Sequence, residues 1–84
     1  MNTWTDEQLA NYECALETIG NVIALKARAI AAETAKSKPD EAVIAALRAE
    51  QIELVDERSR LRIGDSEAVA RAIEVYGKQV RENS

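Results

Sequence analysis

Residues 9–30, LANYECALETIGNVIALKARAI, place Leu9, Tyr12, Leu16, Ile19, Ile23 and Ile30 at alternating steps of three and four, with Lys26 the one interruption. That spacing lays a continuous apolar stripe along a helix of about thirty residues. A stripe of that length must lie against another helix, from this chain or from a second copy. It decides the architecture. No motif in the chain names a substrate, a cofactor or a reaction.

Outward from the stripe, the helix ends are punctuated. Thr5 and Gln8 have the spacing of a capping box, and Trp4 and Leu9 occupy the two positions of a hydrophobic staple. Asp6 and Glu7 complement the positive end of the helix dipole. The first helix is expected over residues 5–35, continuous or gently bent at Gly20-Asn21, where helix propensity drops. Ser37 is the expected cap of a second helix over 38–63, with Pro39 in its first turn. Asp40 and Glu41 open that helix, and Arg58, Arg60 and Arg62 close it. Gly64 reads as its left-handed stop. Asp65 then caps a third helix over 65–81, whose stripe is Val69, Ala72, Ile73, Tyr76 and Val80. No segment alternates like a strand.

A connection of a few residues makes successive helices antiparallel neighbours. Folding about Ser37 brings together residues whose numbers sum to roughly 74. Ile30 is then expected opposite Ile44, Ile19 opposite Val55, and Glu13 and Glu17 beside Arg58, Arg60 and Arg62. Asp6, Glu7, Glu13 and Glu17 all precede the first base, Lys26, so this pairing balances a lopsided charge. Each exposed pair adds about 0.2–1 kcal/mol. The charges choose the orientation, and the apolar seam supplies most of the stability.

The fold class expected is therefore all-α: a long antiparallel helical hairpin plus a shorter third helix, as a three-helix bundle or a dimeric helical bundle, in one domain spanning residues 1–84. A chain this short buries only about 60% of its unfolded surface, and oligomerisation is a common remedy. One cysteine and no histidine leave neither a disulfide within the chain nor a histidine metal site. Helix one carries a second stripe of Ala15, Val22, Leu25 and Ala29. Helix two repeats Leu47, Leu54 and Leu61 every seven residues, flanked by Ile44, Ile52 and Val55. Two apolar sectors per long helix imply two neighbours each. A homodimer with a four-helix core and the third helices outside satisfies this, with Val22, Leu25, Leu47, Leu54 and Leu61 as the partner or self-association surface. Gln51 and Arg58 interrupt the seam and argue against a parallel zipper. Lys26 is expected to snorkel from the stripe's edge.

The function classes narrow by exclusion. A net charge of −4 suits nucleic-acid binding poorly, because neutralising phosphates takes surplus Lys and Arg. Arg58 and Arg62 share a helix face and are the candidate anion contact. Helix two, the Ile63-Gly64-Asp65 turn and helix three can be drawn as a helix-turn-helix. A nucleic-acid-linked regulator using Arg58, Arg62 and Arg71 is thus one alternative. An acidic DNA mimic using Glu50, Glu53 and Glu57 is another. The acidic run Glu50, Glu53, Asp56 and Glu57 lacks the histidines of a dinuclear carboxylate site. Cys14 has no histidine to activate it and reads as a small, semi-buried hydrophobe. The reading is a protein without catalytic, cofactor-binding or metal residues: a non-enzymatic interaction module, acting as adaptor, regulator or inhibitor. It self-associates, with a dimer favoured, and binds an unidentified protein partner.

Met1–Asp6 lacks the basic and apolar regions of a secretory signal, and Thr18–Leu25, the longest uncharged stretch, is far short of a membrane span. A cytoplasmic protein without membrane contact is expected. The helical hairpin with its Ser37-Lys38-Pro39-Asp40 turn resembles subunits and small chaperones of type III secretion needles. That resemblance implies a secretion-system subunit or a small chaperone-like hairpin. The break at Gly64-Asp65 departs from the needle pattern, and no functional residue carries over.

Overall fold

The computed structural model describes residues 4–83. Three helices follow in order: α1 (Asp6–Thr34), α2 (Glu41–Arg60) and α3 (Ser66–Glu82). There is no strand among the described residues. The molecule is a rod of 55 × 23 × 16 Å. α1 packs along both other helices, while α2 and α3 come no closer to each other than side-chain reach.

α1 starts as its sequence dictates. The Gln8 amide donates to Thr5 Oγ1 at 3.1 Å, and the Thr5 amide donates to Gln8 Oε1 at 2.8 Å. This capping box satisfies two donors that the first turn would leave open. Gln8 Nε2 also reaches Ser66 Oγ at 3.3 Å, so the box fastens the start of α1 to the start of α3. The helix then passes through Gly20 without a break.

The corner differs from expectation. Ser37 does not cap α2; Asp40 does, accepting the amides of Ala42 at 3.0 Å and Val43 at 3.3 Å. A carboxylate at the positive end of a helix satisfies two amides and also opposes the dipole, which a serine hydroxyl cannot do. Pro39 therefore lies before the helix rather than in its first turn. Glu33 fixes the corner from the other side. Its Oε2 accepts the Asp40 amide at 3.0 Å and its Oε1 accepts Lys36 Nζ at 2.9 Å. Those two bonds favour the ionised carboxyl and hold its pKa below the usual glutamate value.

The end of α2 also differs. The helix stops at Arg60, four residues before Gly64, and Leu61 turns extended at ψ 137°. No described residue adopts a positive φ, so Gly64 is not a left-handed stop. The chain leaves the helix early because that turn drives Leu61 into the core, where it is 7% exposed. Asp65 caps α3 as expected, accepting the Ala68 amide at 3.1 Å.

The core is one cluster: Ala15, Ile19 and Val22 from α1, Leu54 and Leu61 from α2 and its exit, Val69 and Ala72 from α3. Ala15 and Val22 of the second stripe of α1 thus join a core shared with α3, whereas Leu25 is half-buried outside it and Ala29 is exposed. The register of the hairpin follows the expected sum. Gln51 Nε2 donates to the Ile23 carbonyl at 3.2 Å, and Arg58 Nε donates to the Leu16 carbonyl at 3.1 Å. The facing side chains differ from the expectation in one respect. Ile19 is fully buried in a cluster that holds Leu54, whereas Val55 is 53% exposed. α2 is rotated so that Leu54 and Leu61 serve α1 and α3 together, which turns Val55 outward. Cys14 is exposed rather than semi-buried.

Candidate interaction surface

The two polar residues in the seam of α2 set the surface. Gln51 and Arg58 are seven residues apart and bond two α1 carbonyls that are also seven apart. Each adds a second donor to a carbonyl already inside the helix. Pinned at two heights, α2 cannot rotate without losing both bonds. On the α3 side of the seam Lys26 reaches Glu50 at 2.8 Å, with its stem half-covered. On the opposite side Arg48, Ile52 and Val55 of α2 flank a shallow apolar groove closed by Ile23 of α1. Ile52 is 70% exposed, the most of any large apolar side chain described. On the α1 side, Gly20 stands one turn from Ile23 and leaves open space where a side chain would be.

The expected self-association residues separate on folding. Val22, Leu54 and Leu61 are consumed by the chain's own core and present no free surface. Leu25 and Leu47 are half-buried. The most outward apolar residues are instead Ile52 and Val55, with Trp4, Leu9, Val43 and Val75 also exposed. The sequence placed Ile52 and Val55 beside the seam. Their exposure depended on the rotation of α2, which Gln51 and Arg58 fix through backbone carbonyls that side-chain periodicity does not register.

The candidate anion contacts also separate. Arg58 is spent on the Leu16 carbonyl in the seam with α1. Arg62 donates to the carbonyls of Ser59 and Leu61 and lines a groove between α2 and α3 that Arg60 and Arg71 share. Arg60 pairs with Asp56 at 2.9 Å and Arg71 with Glu67 at 3.9 Å. Glu13 and Glu17, expected beside these arginines, pair with none of them. Arg58 donates to the Leu16 carbonyl instead, and the other two find carboxylates or carbonyls within their own segments. Of the arginines in the helix-turn-helix reading, Arg62 and Arg71 therefore share one groove, whereas Arg58 lies apart in the α1 seam.

The acidic run is divided in the same way. Glu50 holds Lys26, and Glu57 Oε1 accepts the Tyr76 hydroxyl at 2.9 Å. Partial burial, then that hydrogen bond and the charges of Glu57 and Glu53, push the Tyr76 phenol up to about 12. Tyr76 thus stays a neutral donor and links α3 to α2 where their backbones diverge. Among the described residues no group of three or more His, Cys, Asp or Glu converges to hold a metal ion. No described helix is long and apolar enough to cross a membrane.

The described residues form an all-α three-helix protein with an uncovered apolar face between α1 and α2. Compared with known protein families, curated proteins and solved structures, the chain finds no match.

Proposed function

We propose that this protein is a non-enzymatic helical interaction module that self-associates and acts by binding other proteins. One observation carries the reading: Ile52 and Val55 stand outward beside Ile23 on the face that α3 leaves uncovered. Contiguous outward aliphatics of this kind mark protein contact surfaces more often than lone exposed residues do. Arg58, Arg60, Arg62 and Arg71 are engaged with carboxylates and carbonyls, and the Cys14 thiol lies against the Thr18 hydroxyl.

The test is the mass of the full chain in solution across a range of concentrations. A self-associating module rises above the 9.2 kDa of one chain as concentration increases. A particle that stays at one chain mass at every concentration defeats the self-association part of the reading.

A further inference from the structure

We infer that the uncovered α1/α2 face is closed by a second copy of this chain, laid antiparallel about a two-fold axis through Ile52. The inference deepens the self-association reading and rests on it. Arg48, Ile52 and Asp56 stand at four-residue steps and so form one row along α2. The row reads positive, apolar, negative. Laid antiparallel on itself, it sets Arg48 against Asp56 of the other copy, twice, with Ile52 against Ile52 at the centre. A parallel arrangement forfeits both ion pairs.

α1 carries the same pattern at the same height. Glu17 and Arg28 are both exposed and flank the small residues Gly20, Ala24 and Ala27. Their midpoint falls between Val22 and Ile23. Gln51 lies level with Ile23 and Arg58 level with Leu16, so Ile52 lies level with Val22. The two charge patterns therefore share one two-fold centre to within about one helical rise of 1.5 Å. Glu17, Arg28 and Arg48 make no ion pair within the described chain, and Asp56 has only the exposed Arg60. A self-complementary face is what a two-fold contact requires, because each residue meets the image of another on the same patch.

The area suits the assignment. A strip about 30 Å long and about 20 Å wide, the footprint of two adjacent helices, buries roughly 1,200 Å² over both copies. That is the lower end of stable interfaces and predicts a dimer that dissociates on dilution. α3 lies on the opposite side of the hairpin and stays clear of the contact.

The experiment measures mass against concentration for the wild type and for Ile52→Glu, with circular dichroism to confirm that helix content is unchanged. Ile52 is exposed, so the substitution spares the fold. It is expected to raise the dissociation constant of the dimer about tenfold or more, as loss of a central anchor does. Arg48→Asp and Asp56→Arg each weaken the dimer, and the two together restore it. In a Cys14→Ser background, Ile52→Cys is expected to form a disulfide-linked dimer on mild oxidation. A dimer that ignores Ile52→Glu, or one that fails to cross-link through position 52, overturns this face and axis while leaving self-association standing. A wild type that remains at one chain mass overturns both.

Discussion

The rod has a base and a tip, and they are built differently. In the base three helices meet, and every member of the main core cluster lies there: Ala15, Ile19, Val22, Leu54, Leu61, Val69 and Ala72. In the tip only α1 and α2 run side by side. Its buried residues are Ile44, which stands apart from that cluster, and the carboxylate of Glu33. The cause is length. α1 has 29 residues and α3 has 17, about 44 Å against about 26 Å at the helical rise. One short helix cannot cover a long hairpin. The base is held by apolar burial, which is non-directional. The tip is held by a small set of directed polar bonds around Glu33 and Asp40. The comparison teaches that a thin two-helix segment can keep its geometry when its turn is locked by carboxylates, although it gains little from burial.

The largest expected effect lies in the base. Ile19→Ala removes a fully buried side chain at the centre of three helices and should cost about 2–5 kcal/mol. Chemical denaturation of the two proteins measures it. A loss below 1 kcal/mol would show that the base is not the stability centre and that the contrast with the tip is false.

The next effect lies in the tip. Asp40→Ala leaves two amides without their acceptor and should cost about 1 kcal/mol. Amide hydrogen exchange should rise in the last turn of α1 and the first turn of α2, with base amides unchanged. Exchange that rises equally at Val22 and Val69 would mean that tip and base open as one unit.

The smallest effect is an acid dependence. Glu33 is ionised in the folded chain at pH values where the unfolded chain has begun to take up its proton, because its folded pKa is lowered. Its contribution is therefore full above its unfolded pKa and is lost as pH falls through the folded one. The melting-temperature gap between wild type and Glu33→Gln should shrink on acidification. A gap that widens would reverse the role assigned to the Lys36 and Asp40 bonds.

Much of this fold is legible in the residues themselves, for reasons that are local. Thr5 with Gln8, and Asp65 before Ala68, cap their helices through bonds spanning three positions, and such bonds need no tertiary partner. The hairpin register is legible because a short connection leaves antiparallel helices few alternatives. The cap at Asp40 is harder to read. Ser37 and Asp40 both fit a cap position, and the choice turned on Glu33, seven residues back, reaching the Asp40 amide. The early exit at Arg60 is harder still. It depends on where Leu61 finds a core, and that core includes α3.

The candidate surface shows the same division. Periodicity grouped Leu54 and Leu61 with Val22 as surplus apolar surface, yet all three are interior, because α3 supplies the second neighbour that the sequence assigned to another copy. Ile52 and Val55 were visible as a flanking line, but their outward aim was not.

The residues alone determined three helices, the caps of the first and third, a hairpin and its register, because capping and amphipathic period act over one or two turns. Tertiary structure alone decided the rotation of α2 about its axis. That angle is set by Gln51 and Arg58 reaching backbone carbonyls of another helix and by Leu54 and Leu61 dividing their contacts between two neighbours. No single-helix pattern encodes a choice between two neighbours, and the same choice left Ile52 facing water.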